Sequence, residues 1–331
     1  MTTQQEKTTI RYGFLLVNKY SMIALSSAIE PLRMANRLSG KTLYEWQTFT
    51  LDGKPACASN GLILEPEGAL ETAKDFDVFF VCAGVDVSDV YTKNLQHSLV
   101  KMAHEKIKLG SLCTGSYLLA RSGLLDGYRC TIHWEHIASM REEFSHVTVS
   151  DELFELDRDR YTCAGGNASL DMMLTLISGS NGGTLSANIS EQFMCDRIRS
   201  QSDRQRAPLQ QHLGASQPKL IEAISLMEAN IEEPISIDEL SKLVGVSRRQ
   251  LERLFQKYVN CVPTRYYMDL RLNCSRRLLL QTGKSIIDIS LACGFVSPPH
   301  FSKCYRDYFG IPPRDERMRK FSNINTRSKH L

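Results

Sequence analysis

Apolar residues along the chain fall into two regimes. In the first 200 residues, short apolar runs of strand length alternate with stretches of helical spacing. Residues 10–17 (IRYGFLLV) and Asp77 to Cys82 (DVFFVC) are nearly unbroken apolar runs, as expected of strands covered on both faces of a parallel sheet. Tyr44 to Leu51 alternates, the period of a half-buried strand. Ser21 to Leu38 sets Ile23, Ala24, Ala28, Ile29, Leu32, Met34 and Ala35 at helical spacing. Leu95 to Lys108, Trp134 to Glu143, Asn167 to Ser178 and Leu185 to Ile198 predict further helices. Phe154-Glu155-Leu156 and Tyr161-Thr162-Cys163 flank a charged turn and predict a hairpin. This alternation implies an α/β sandwich, doubly wound, and such sheets hold ligands beyond the carboxyl ends of their strands.

From Pro218 onward the pattern is helical throughout. Ser236-Ile237-Asp238-Glu239 and Ser247-Arg248-Arg249-Gln250 have the spacing of capping boxes, each opening a short helix. The two helices are separated by Gly245-Val246-Ser247, the helix-turn-helix pattern, and Leu240, Leu243, Val246, Leu251, Leu254 and Phe255 supply a small core. The pattern repeats about fifty residues later. Ile286 to Ala292 predicts one helix, Gly294-Phe295 ends it, and Ser297 caps another that begins Pro298-Pro299-His300. Thr264 to Leu280 predicts one long helix between the units. Residues 201–217, polar and charged, read as a linker, which gives domains at 1–200 and 218–320 and a tail at 321–331.

Composition adds three constraints. Of 331 residues, 42% are hydrophobic and 23% charged, ordinary for a soluble chain of two domains. The ten cysteines lie singly, without a CxxC pair, and the N-terminus lacks the apolar core of a signal peptide, so reduced thiols in a cytoplasmic protein are expected. No apolar stretch approaches the ~18 residues that span a bilayer, so no membrane partner is expected. The net charge of +3 is unevenly spread: 21 Lys+Arg against 25 Asp+Glu up to residue 216, then 19 against 12. A basic C-terminal part points to double-stranded DNA.

The candidate chemistry centres on Leu109 to Gly127 (LGSLCTGSYLLARSGLLDG). An apolar strand ends at Cys113 between small residues and a helix follows at once, the form of a nucleophile elbow. The stretch resembles the cysteine elbow of class I glutamine amidotransferase-like domains. Residues 218–320 resemble the DNA-binding domain of the AraC/XylS family through Ile237-x-x-Leu240-Ser241-x3-Gly245-Val246-Ser247 and Ile289-Ser290-Leu291-Ala292-Cys293-Gly294-Phe295-x-Ser297. Phe309-Gly310-Ile311-Pro312-Pro313-Arg314-x-x-Arg317 also fits that family. One branch fuses such a domain to an amidotransferase-like sensor. Tyr20-Ser21-Met22-Ile23 and Ala28 to Asn36 (AIEPLRMAN) look most like its regulators of glycine betaine, choline, carnitine or arginine catabolism.

The resemblance implies two recognition helices in successive major grooves, about 34 Å apart. It puts base contacts on Arg248, Arg249, Glu252 and Arg253, then on Pro298, Pro299, His300, Ser302 and Lys303. Prolines carry no donors, so the second helix is expected to specify fewer bases or to work mainly by fit. Arg276 and Arg277 read as solvated. Dimers match repeated half-sites, so a homodimer is expected, with an activator's contact to RNA polymerase.

For the elbow two functions stand against each other. A cysteine-dependent amidase or hydrolase needs a base, yet Thr114 stands where many catalytic relatives carry histidine, and His133 is the nearest alternative. A sensor would use the same turn to hold a zwitterionic effector. The helix N-terminus takes its carboxylate, and Trp134 and Tyr20 face its ammonium. Glu30, onto which the resemblance carries the amidotransferase-like acid, adds a counter-charge. His133 and His136 lack further ligands at metal spacing, so no metal is expected, nor any cofactor. The sensor is the favoured reading, with a glycine betaine-type effector.

Overall fold

A computed structural model of the protein describes residues 9–203, 205 and 217–318, so most of the expected linker and all of the expected tail lie outside it. The chain divides into two units, residues 1–205 and 206–331. Residues at the start of the expected linker are tied to the first unit. Gln201 Nε2 donates to Glu155 Oε2 at 2.7 Å, and Leu153 N donates to the Asp203 carbonyl at 2.9 Å. Gln205 Nε2 donates to Thr131 Oγ1 and to the Ile132 carbonyl, both at 2.8 Å.

In the first unit, β1 (Ile10–Leu16) leads into α1 (Met22–Ser39), then β2 (Tyr44–Thr50) and the short strands β3 (Ala56–Cys57), β4 (Ile63–Leu64) and β5 (Gly68–Ala69). β6 (Val78–Cys82), α2 (Lys93–His104), β7 (Lys108–Leu112) and α3 (Gly115–Arg121) follow. β8 (Arg129–Thr131), α4 (Ile137–Glu143) and β9 (Thr148–Ser150) precede the hairpin of β10 (Phe154–Asp157) and β11 (Arg160–Cys163). α5 (Ala168–Asn181) and α6 (Gly183–Gln192) complete it. Seven strands form one sheet in the order β10-β11-β7-β6-β1-β2-β5, parallel except for β10.

Period-two alternation sends successive side chains to opposite faces. Tyr12, Phe14, Leu16, Phe80 and Cys82 pack under α1, α5 and α6, whereas Leu15, Val17, Phe79, Val81 and Leu109 pack under α2, α3 and α4. Helices on both faces make this the expected doubly wound sandwich. The register also places the site. Leu16 pairs with Cys82, Cys82 with Leu112, and Leu112 with Cys163. Four strands thus end together, and the segments leaving them, around Tyr20, Gly84, Cys113 and Gly165, meet at one end of the sheet.

Three predicted helices have different limits. The 95–108 helix runs from Lys93 to His104, because Lys106 turns at φ +62 and Lys108 already pairs with Val78. The 134–143 helix is a 3-10 turn over Trp134–His136 followed by α4, and the 185–198 helix stops at Gln192.

The second unit is helical throughout its described residues: α7 (Pro218–Ala229), α8 (Ile237–Leu243), α9 (Arg248–Tyr258), α10 (Pro263–Gln281), α11 (Ile286–Ala292) and α12 (Pro298–Phe309). Leu220, Ile224 and Met227 of α7 bury with Leu240, Val244, Leu251, Phe255 and Tyr267, forming the core of the first helix pair. Ser247 makes a full capping box with Gln250, but Ser236 only accepts from Glu239 N, so that predicted box is half made. At about 1.5 Å per residue, the 19 residues of α10 make a strut of roughly 28 Å between the two pairs.

Candidate functional site

The elbow is built where β7 meets α3. Cys113 has φ +61, a left-handed conformation that costs a non-glycine residue about 1–3 kcal/mol and persists only where its surroundings enforce it. Here they do. The Cys113 carbonyl accepts from His133 N at 3.2 Å. Gly165, itself at φ +91, lies so close that a Cβ there would stand 2.7 Å from the Cys113 Cβ. Behind the turn, a Cβ at Gly115 would be 2.1 Å from the Val81 carbonyl oxygen, so only glycine fits. Ser116 Oγ donates to the Thr131 carbonyl at 2.5 Å and accepts from Ser111 Oγ at 2.6 Å. Thr114 Oγ1 donates to the Gly84 carbonyl at 2.7 Å. The hydroxyl standing where catalytic relatives carry histidine therefore pins the turn to the neighbouring segment.

The thiol is quiet. Burial pushes the Cys113 pKa up to about 11, against a hydrogen bond from the Thr114 backbone and with the Glu135 charge adding to the rise. Cys163, just beneath, is pushed up to about 12 by burial. At neutral pH Cys113 is a protonated thiol, and a thiolate is what nucleophilic chemistry needs. Burial lowers the His133 pKa, opposed by Glu135, whose Oε2 lies 3.6 Å from His133 Nδ1. The ring of Trp134, half-buried, lies 5.7 Å from that of His133.

Cys113, Thr114, His133 and Trp134 are thus brought to one neighbourhood, with two corrections to the expected set. Glu30 is paired elsewhere: its Oε2 accepts from Arg33 Nε at 2.9 Å and Nη2 at 2.6 Å on a half-exposed turn of α1. The carboxylate that acts on both Cys113 and His133 is Glu135, whose side chain is 51% exposed. Tyr20 is wholly buried with its hydroxyl directed at Met22 Sδ, 3.9 Å away, so its ring is core and not an open aromatic wall. Glu135 was not among the residues expected at the site. It reaches the neighbourhood of the elbow through His133, whose backbone N–H donates to the Cys113 carbonyl, a bond that spacing does not reveal. A separate cavity of about 360 Å³, lined by Arg11, Tyr44, Trp46 and Phe76 among others, lies at the amino ends of β1 and β2, away from the carboxyl ends where doubly wound sheets bind ligands.

In the second unit, α9 carries Arg248, Arg249, Glu252 and Arg253 on its outer side. Arg248 bonds Glu252 at 3.0 Å and Asp238 at 3.2 Å. Exposed pairs of this kind are weak and give way to a stronger anion. Arg249 and Arg253 are exposed and make no ion pair with any described residue. On α12, Pro299, His300 and Lys303 are exposed and Pro298 and Ser302 half-buried.

The expectation that Arg276 is merely solvated is corrected. It bonds Glu316 at 2.6 Å, Glu316 is 8% exposed, and Tyr305 of α12 donates to the same carboxylate. Arg277 is not simply solvated either, since its Nε is buried. Arg271, which sequence reasoning passed over, donates to the carbonyls of Cys293 at 2.8 Å and Gly294 at 2.6 Å and lies 4.2 Å from the Phe295 ring centre. Arg271 directly, and Arg276 through Glu316, thus tie α10 to the second helix pair.

Among the described residues no cluster of three or more His, Cys, Asp or Glu could hold a metal ion, and no helix is long and apolar enough to cross a membrane. Comparison with known proteins matches residues 15–179 to the DJ-1/PfpI family and residues 240–319 to a helix-turn-helix domain. The HTH-type transcriptional regulator GbdR of Pseudomonas aeruginosa is 54% identical over 95% of this chain and 86% of its own length. The HTH-type transcriptional regulator CdhR of the same species is 43% identical over 92% of this chain and 91% of its own. A crystal structure of an AraC family transcriptional regulator from Pseudomonas putida is 30% identical, with a TM-score of 0.52, over 56% of this chain and 99% of that one. The chain belongs to the AraC-type family of HTH transcriptional regulators, in the group that joins a DJ-1/PfpI-fold domain to the DNA-binding unit.

Proposed function

We propose that this regulator senses a small zwitterion at the Cys113 elbow without chemical turnover, and that it binds DNA as a homodimer to activate transcription through RNA polymerase. The observation that carries the sensor reading is the state of the elbow: its backbone is kept, while its thiol is protonated and the residue after it is engaged with Gly84. A cysteine-dependent amidase would need a thiolate and a base at that point.

The effector we favour is of the glycine betaine type, a carboxylate joined to a quaternary ammonium. The Gly115 and Ser116 amides, at a helix start that no side chain caps, suit the carboxylate. The Trp134 ring suits the ammonium, with Glu135 as counter-charge. Arg248, Arg249, Glu252 and Arg253 would read one major groove and α12 the next.

Isothermal titration of the full chain against glycine betaine, dimethylglycine, carnitine, arginine and choline tests this. One saturable ligand recovered unchanged supports the sensor, and silence across the panel removes the effector class. A cleaved or deamidated ligand would replace the sensor by an enzyme.

A further inference from the structure

The two helix-turn-helix units differ at the turn. In the first, Gly245 is followed by Val246, partly buried against the core, and then by the capping residue Ser247. In the second, Gly294 is followed by two residues before the capping Ser297. Phe295 takes the inward place, 2% exposed and 5.0 Å from the Phe301 ring, and the additional residue, Val296, is pushed out to 94% exposure.

The first turn of the following helix differs in the same sense. α9 opens with Arg248, Arg249 and Gln250. α12 opens with Pro298 and Pro299, which have neither an N–H nor a polar side chain to offer, and Ser297 Oγ accepts from His300 N at 3.4 Å. The His300 ring nitrogen lies 3.3 Å from Cys304 Sγ. The leading end of the second recognition helix therefore presents carbon at Val296, exposed Pro299 and half-buried Pro298, beside exposed Ser297 and His300. One turn further on stand exposed Lys303 and Arg306, cations suited to phosphate.

The start of a recognition helix is the part that meets base edges. In the major groove the apolar group on a base edge is the thymine 5-methyl. We propose that Val296, with Pro299 beside it, reads thymine by packing against that methyl group. The second unit would then select its bases by apolar contact where the first uses hydrogen bonds. A protein partner could also cover an exposed valine, but the patch is continuous with the DNA-reading face and is flanked by cations, which favours the nucleic acid.

This inference rests on the DNA-reading role of α12, and the experiment separates the two. Sites are selected from a random duplex pool with the full-length protein, and each thymine of the selected site is replaced in turn by deoxyuridine, which lacks only the methyl. One or two positions in the half bound by α12 should weaken binding about fourfold, the worth of one buried carbon. Val296→Ser, a change at a residue too exposed to affect folding, should give the same loss on the thymine site and no further loss on the uracil site. Uracil tolerated at every position overturns the proposal. So does a Val296→Ser protein that keeps full DNA affinity but loses transcription activation, which would assign the valine to a protein partner. Failure to select any duplex would overturn the DNA-reading role itself.

Discussion

Gly165 and Cys113 occupy each other's space: both are in the left-handed region, and a Cβ on Gly165 would stand 2.7 Å from the Cys113 Cβ and 2.8 Å from its Cα. The strained turn is kept because β11 delivers a residue without a side chain behind it. Gly165→Ala should destabilise the first unit by about 2–4 kcal/mol, combining strain at positive φ with overpacking. Both tryptophans, Trp46 and Trp134, lie in that unit, so their fluorescence during urea unfolding isolates it. An unchanged midpoint would mean that the turn is not braced by Gly165.

The Cys113 thiol should be slow to alkylate. With its pKa near 11, its reaction with iodoacetamide at pH 7 should be negligible and should rise about tenfold per pH unit as the thiolate forms. Peptide mapping by mass spectrometry follows this one cysteine among ten. Rapid labelling at pH 7 would restore the nucleophile, and Cys113→Ser abolishing the effector response would do the same.

Glu135 and Glu30 should behave differently. Glu135→Gln should weaken binding of a cationic effector by about 1 kcal/mol, the scale of a solvated charge pair at contact. Glu30→Gln, which only loosens the Arg33 pair, should leave affinity unchanged. Equal effects in titration calorimetry would return Glu30 to the site.

His133 makes the first unit sensitive to acid. Burial lowers its folded pKa below the unfolded value of about 6.5, so the unfolded chain binds more protons below that pH. Its contribution is fully present above pH 6.5 and is lost as pH falls through and below that value. His133→Asn should flatten the tryptophan-monitored stability profile between pH 7 and 5, and an unaltered slope would assign the acid sensitivity to other groups.

Arg253→Ala should cost about 1–3 kcal/mol at one base position and relax preference there. Loss spread equally over all sequences in a competition assay would move Arg253 to phosphate. Glu316→Ala should act without touching DNA, by leaving Arg276 and Tyr305 without their shared acceptor. Unfolding of the second unit should shift by about 2–3 kcal/mol, and an unshifted transition would mean that the network is not structural.

The alternation of strand and helix, the elbow at Cys113 and both helix-turn-helix units were legible in the sequence because local rules produce them. Period, capping residues and small residues at a crowded turn all act over a few positions. The limits of α2 and α4 were less legible, since β7 claims Lys108 by pairing with Val78 and the turn at Trp134–His136 stays close to Cys113.

Charge partners were the least legible of all. Ion pairing depends on which surfaces meet, and sequence spacing leaves that open. Glu30 turned to Arg33, Glu135 came to His133, and Arg276 found Glu316 forty residues away. The sequence by itself determined the kind of protein: an elbow-bearing α/β unit followed by a basic pair of DNA-reading motifs. Only the tertiary structure decided how deeply the elbow's thiol is buried. Burial sets the Cys113 pKa, and burial exists only once the ends of β1, β6, β7 and β11 close over the turn.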